Sequence, residues 1–174
     1  MARVIDLNPV TRITAGAMGK PGQRVFYIQA ETATQRIAVL CEKQQVQALG
    51  LGVQEYLQEV QRDHPSLLTP TGSFLAADME LQEPLEPLFR VGQFGLGYDD
   101  ETDRVILVAQ EEQGEDANPD DATTVRFWAT RSQLLAMAQH GMEVAARGRP
   151  ICGNCLQPID PEGHFCPKRN GHRY

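Results

Sequence analysis

The stretch that most limits how this chain can fold is its last segment, Pro150 to Tyr174, which reads PICGNCLQPIDPEGHFCPKRNGHRY. Pro150, Pro158, Pro161 and Pro167 exclude regular helix there. Twenty-five residues this rich in proline and glycine bury too little apolar surface to order themselves, so they need an external organiser. The sequence supplies donors for one. Cys152, Cys155, Cys166 and His172 are spaced C-x2-C-x10-C-x5-H. Three thiolates and an imidazole form a common tetrahedral set for structural zinc, with sulfur about 2.3 Å from the metal. Gly153 suits the tight turn that brings the first two sulfurs onto one ion. Residues 149–174 are therefore expected to form a zinc-knuckle or ribbon-like tail with a structural Zn2+.

Other readings of the same cysteines compete with this one. A lasting Cys152–Cys155 disulfide is disfavoured in a reducing compartment. A thioredoxin-like dithiol belongs at a strand-to-helix junction, whereas this pair follows a helix and leads into proline loops. Attachment of a c-type haem needs His directly after the second cysteine, where Leu156 stands. A catalytic zinc would keep a coordination position for water, with His164 or Asp160 close by. His164 also rivals His172 as the fourth ligand, and a water or a carboxylate such as Asp160 is a further alternative.

The rest of the chain must supply the core. With 174 residues, a domain of roughly 150 residues plus a small appendage is expected, divided at 1–148 and 149–174. No apolar run exceeds five residues, far short of the roughly 20 that a membrane span needs. The first ten residues are charged early and do not resemble a signal peptide. A cytoplasmic location without membrane association is the expectation. The formal net charge is −7, which argues against wholesale nucleic-acid binding. Five basic and two acidic residues from Arg147 onward give +3, leaving −10 on the preceding 146 residues. Lys168, Arg169 and Arg173 are thus the one place where nucleic acid is a plausible partner, through phosphate contacts on a knuckle.

Residue patterns predict an α+β fold. Arg3–Leu7, Arg24–Ala30 and Thr34–Cys41 read as strands, the last two joined as a hairpin. Thr14–Gly22 (TAGAMGKPG) reads as a plain turn, without the spacing of a phosphate-binding loop. A helix over Glu42–Arg62 places Val46, Leu49, Val53, Tyr56, Leu57 and Val60 on one face. Gly50 and Gly52 mark either a kink or a place where a strand crosses closely. Asp63–Pro87 is a proline-bearing connector, and its Glu80, Glu83 and Glu86 read as solvated surface. A second β block follows: Phe89–Tyr98, with a bulge, then Arg104–Gln110 and Thr123–Thr130. Ser132 is placed to cap a helix over Gln133–Arg147. Each antiparallel β block thus closes with a helix. Lys43-x-Gln45-Val46-x-Ala48-Leu49 is echoed by Arg131-x-Gln133-Leu134-x-Ala136-Met137, which suggests a duplication of residues 1–64 and 88–148. Trp128 is expected as a core anchor and Cys41 as a small buried hydrophobe; His64 and His140 read as surface or capping residues.

Three segments together resemble a family: RVIDLNPVTRITAGAMGKPGQRVFYIQA, FRVGQFGLGYDDETDRVILVAQE and CGNCLQPIDPEGHFCPKRNGH. They are similar to the uncharacterised bacterial family catalogued as domain of unknown function 3090, from about Arg3 to His172. The resemblance implies a soluble bacterial protein with a terminal C-x-x-C…C…H cluster, and it implies no activity. The sequence contains no G-x-S-x-G, H-E-x-x-H or H-x-E…P-C-x-x-C motif, so these hydrolase, protease and deaminase signatures do not apply. The expected function is a non-enzymatic binding or adaptor protein with a structural Cys3His zinc and an unidentified protein partner. A metal-dependent enzyme and a nucleic-acid accessory protein are the alternatives.

Overall fold

The computed structural model describes residues 3–20 and 22–147. Within them, alternating small and branched residues form seven strands, and two segments with helical apolar spacing form two helices. The order is β1 (Arg3–Leu7), β2 (Arg12–Met18), β3 (Val25–Glu31), β4 (Arg36–Cys41), α1 (Lys43–Asp63), β5 (Val91–Asp99), β6 (Arg104–Glu111), β7 (Thr123–Ala129) and α2 (Arg131–Ala146). The fold is α+β, as expected. The zinc-binding tail expected over 149–174 lies outside the described residues.

β2, β3 and β4 form one antiparallel sheet; β5, β6 and β7 form the antiparallel part of a second. β1 is a correction to the expected first block. It leaves the strands that follow it and pairs parallel with β7, at the edge of the second sheet. The first sheet gains an equivalent edge partner. Leu88 N donates to Ala38 O at 2.8 Å and Leu40 N to Phe89 O at 2.9 Å, so the residues before β5 run parallel to β4. Each sheet is therefore a three-strand meander that leads into a helix and accepts a parallel segment from the other half of the chain.

The inner faces of both sheets meet in one apolar core. Leu7, Val105, Leu107, Ala109, Val125, Phe127 and Ala129 are fully buried from the second sheet, and Ile28, Ala30 and Val39 from the first. α1 contributes Val46, Leu49, Val53, Leu57 and Val60, and α2 contributes Leu134, Met137 and Ala138. A Cβ at Gly50 would collide with Met142 and lie 3.3 Å from Ala138 O. The glycine marks a close crossing, but the element that crosses α1 there is the helix α2 and not a strand.

Arg12–Met18 is a buried strand rather than a turn. Its small residues are what the site demands. A Cβ on Gly141 of α2 would sit 2.9 Å from Ala15 on one face, and a Cβ on Gly16 would sit 2.9 Å from Leu81 on the other. Larger, more strand-prone residues would not fit between these neighbours. Two further expectations change. α2 is capped by Thr130, whose Oγ1 accepts from Gln133 N at 3.0 Å; Ser132 Oγ instead accepts from Thr71 N. Phe127, not Trp128, anchors β7 in the core, because the alternation of the strand turns Trp128 outward.

Candidate functional site

Cys152, Cys155, Cys166 and His172, the rival ligands His164 and Asp160, and the basic Lys168, Arg169 and Arg173 all lie outside the described residues. Among the described residues no cluster of three or more His, Cys, Asp or Glu is arranged to hold a metal. Cys41 is buried, as expected, and burial pushes its thiol up to about 12. It is a protonated core residue at neutral pH, not a nucleophile.

Two polar clusters cross-link the body. At the junction of α1, the β5–β6 turn and α2, Arg131 is almost fully buried. Its Nε and Nη2 donate to the two Asp103 carboxylate oxygens at 2.9 and 3.2 Å, and Nη1 donates to Leu68 O at 2.7 Å and Gln61 Oε1 at 3.3 Å. Tyr98 Oη donates to Asp103 Oδ1 at 2.7 Å. The Arg131 guanidinium holds the Asp103 carboxyl below the usual carboxylate range. Burial and the Asp103 bond push the Tyr98 phenol up to about 12. His64 is the C-cap of α1, one of the two roles expected of it: its backbone N–H donates to Val60 O at 2.9 Å, and its ring lies against Tyr98, centroids 5.3 Å apart. Asp103 has a left-handed backbone (φ 52°), tolerated by Asp better than by most residues.

The second cluster binds the connector, residues 64–90, to the first sheet. Thr14 Oγ1 donates to Met79 O at 2.7 Å and Arg12 Nε to Asp78 O at 2.6 Å. Gln29 donates to Gln82 O and accepts from Gln82 N, each at 2.8 Å. The connector is thus a strap laid across the outer face of this sheet. A cleft of about 540 Å³ opens between the strap, β2 and the end of α2, lined by Arg24, Glu80, His140, Glu143 and Arg147 among others. His140 is set edge-on to Phe74, and burial holds its imidazole below the usual histidine range. It faces this cleft rather than acting as a cap.

The outer face of the second sheet is built differently. Ile106, Val108 and Trp128 lie half-buried on it, and Val4 is 53% exposed. Gly95 and Gly97 add no side chain; a Cβ at Gly97 would meet nothing within 4 Å. Along the β1–β7 edge, Asp6 takes both Arg126 Nε and Nη2 at 2.7 Å and Trp128 Nε1 at 2.8 Å. The bond from Arg126 is the chief reason the Asp6 carboxyl is held low. Hairpin loops rich in acid bound the sheet at either end, Asp99 to Asp103 and Glu111 to Asp121.

The sequence signal for the strap is Gln29, a lone amide between the apolar Ile28 and Ala30 of β3. Such a residue needs a polar partner when buried, and its partners prove to be the backbone of Gln82.

The sequence matches the family described as protein of unknown function (DUF3090) over residues 5–166. The chain belongs to that family. The matched region of this DUF3090 protein begins in β1, includes both sheets and both helices, and continues through Cys152 and Cys155 to Cys166. No curated protein and no solved structure matches the chain. No described helix is long and apolar enough to cross a membrane.

Proposed function

We propose that this chain is a non-enzymatic binding or adaptor protein: a rigid α+β scaffold carrying a C-terminal recognition element organised by zinc. The observation that carries the reading is the donor set Cys152, Cys155, Cys166 and His172 in a segment too poor in apolar residues to order itself. The body supports the scaffold role. Its most buried polar side chains, Arg131, Thr14 and Gln29, are each committed to bonds between elements. Four protein ligands leave a zinc ion no open position for substrate. The metal is structural in this reading, and the process served is cytoplasmic.

Metal analysis of the purified chain tests this reading. About one zinc per chain is expected, lost in Cys152→Ser and in His172→Ala. A chain that neither retains nor takes up zinc refutes it. Water in the coordination sphere with three protein ligands would favour the enzyme alternative. Basic residues in the tail give the nucleic-acid alternative its own test. Salt-sensitive retention on RNA or DNA, lost when Lys168, Arg169 and Arg173 become Glu, would favour it.

A further inference from the structure

The two sheets can be matched residue by residue by counting back from the helix N-caps, Glu42 and Thr130. Cys41 then corresponds to Ala129, Leu40 to Trp128 and Ala38 to Arg126. The strand registers carry the match onward. Tyr27 corresponds to Ile106, Gln29 to Val108, Thr14 to Gly95 and Gly16 to Gly97. The helix entries agree with this pairing. Gln45 accepts from Glu42 N at 2.8 Å and donates to Val91 O; Gln133 accepts from Thr130 N at 2.9 Å and donates to Val10 O. Each helix therefore begins with the same glutamine joining its own cap to the segment that enters the opposite sheet.

Corresponding outer faces differ in one respect. On the first sheet Thr14 and Gln29 are 0% and 1% exposed, because the segment that follows α1 is bonded across them, and Ala38 beside Gln29 is 6% exposed; Tyr27 and Leu40, further along the same face, are half-buried like their counterparts Ile106 and Trp128. On the second sheet the counterparts of Thr14, Gln29 and Ala38, which are Gly95, Val108 and Arg126, are exposed or half-buried, and no described segment lies across them. In sequence order, residues 148–174 follow α2 as the strap follows α1. The covering part of the strap, residues 76–82, is much shorter than that segment, so reach is not limiting. Charge is complementary too. The segment carries Lys168, Arg169 and Arg173, and the face ends in the acidic loops at 99–103 and 111–121.

We infer that the outer face of the second sheet, around Gly95, Gly97, Ile106, Val108 and Trp128, is the docking site of this chain's own residues 148–174. Docking there fixes the C-terminal element against the scaffold as the strap is fixed on the first sheet. The inference rests on the repeated order of elements and on the difference between the two faces. It does not require the metal.

The test is photo-cross-linking in the full-length chain. Gly97→p-benzoylphenylalanine places the reactive ketone on the face, where a side chain has open space. The same group at Leu51, 59% exposed on α1 and outside the acidic loops, controls for chance proximity. The expected product has the mass of a single chain, joins position 97 to a peptide from 148–174, and forms at least tenfold more from 97 than from 51. A product joining two copies, one confined to body peptides, equal yield from the two positions, or no product overturns the inference. Zinc measured on the same sample keeps the metal question separate: a metal-free chain that still gives the adduct counts against the zinc site alone.

Discussion

Arg131 is where the body buries a charge and gives it four acceptors, so it shows most directly what a polar residue does inside this fold. Replacing it with Met removes the cation, leaves Leu68 O and Gln61 Oε1 without this donor, and strips the paired guanidinium from Asp103, which keeps the bond from Tyr98 Oη. A fully buried broken pair costs about 3–5 kcal/mol. Asp103 is 41% exposed, so water recovers part of that, and about 2–3 kcal/mol is the expected loss for Arg131→Met, read from the urea midpoint. Acid should act at the same place. The Asp103 and Asp6 carboxyls are held below the ordinary aspartate value of about 3.9 by Arg131 and Arg126. Their contribution is fully present above that value and is lost as pH falls through the lower folded-state values. Stability of the parent chain should therefore fall steeply below about pH 4, and less steeply in Arg131→Met. Equal acid slopes would show that the ion pair is not the source. Of these residues the sequence disclosed the identities but not the roles. An Arg in a first helical turn reads as surface, and only the turn at Asp103 brings a carboxylate to it.

At the scale of elements, helix starts separate what sequence pattern can place from what backbone geometry decides. Both α1 and α2 lie within two residues of their expected starts, because six apolar positions at three-to-four spacing leave little freedom. The capping residue of α2 is less legible, since Thr130 and Ser132 are equally good caps by type. Thr130 has extended backbone (ψ 158°) and bonds Gln133 N, whereas Ser132 lies inside the helix. Thr130→Ala should lower stability by about 1 kcal/mol. Ser132→Ala, which loses only the bond from Thr71 N, should stay within about 0.5 kcal/mol. Thermal unfolding of the two variants side by side decides between the caps, and the reverse order would place the cap at Ser132. β2 was illegible for a related reason. Its strand character comes from neighbours on both faces that demand small residues, and propensity scales read Thr-Ala-Gly-Ala as a turn. β1 could not be assigned to its sheet, because a parallel partner more than a hundred residues away leaves no local trace.

The whole molecule is held together where α1 crosses α2, and the two glycines of α1 separate packing from helix propensity. In an exposed helix both Gly50 and Gly52 would gain up to about 1 kcal/mol on becoming Ala. Gly52 has nothing within 4 Å of a built Cβ, so Gly52→Ala should realise most of that gain. Gly50 faces Met142 and the Ala138 carbonyl across the helix crossing. The methionine has three rotatable bonds and yields to a methyl group, but the carbonyl belongs to a helix and moves only if α2 moves. Gly50→Ala should therefore be close to neutral, with the propensity gain offset by the crowding. Gly50→Leu should cost about 2–3 kcal/mol, because its further carbons overfill a crossing in which a Cβ alone already meets Met142 and Ala138 O. Each half lends its helix to this crossing, so the Leu variant should loosen both sheets together: near-ultraviolet dichroism and hydrogen exchange in β3 and β6 should change in one transition. If β3 loosened while β6 kept its protection, the crossing would be a local contact of the first half and not the joint on which the two halves depend.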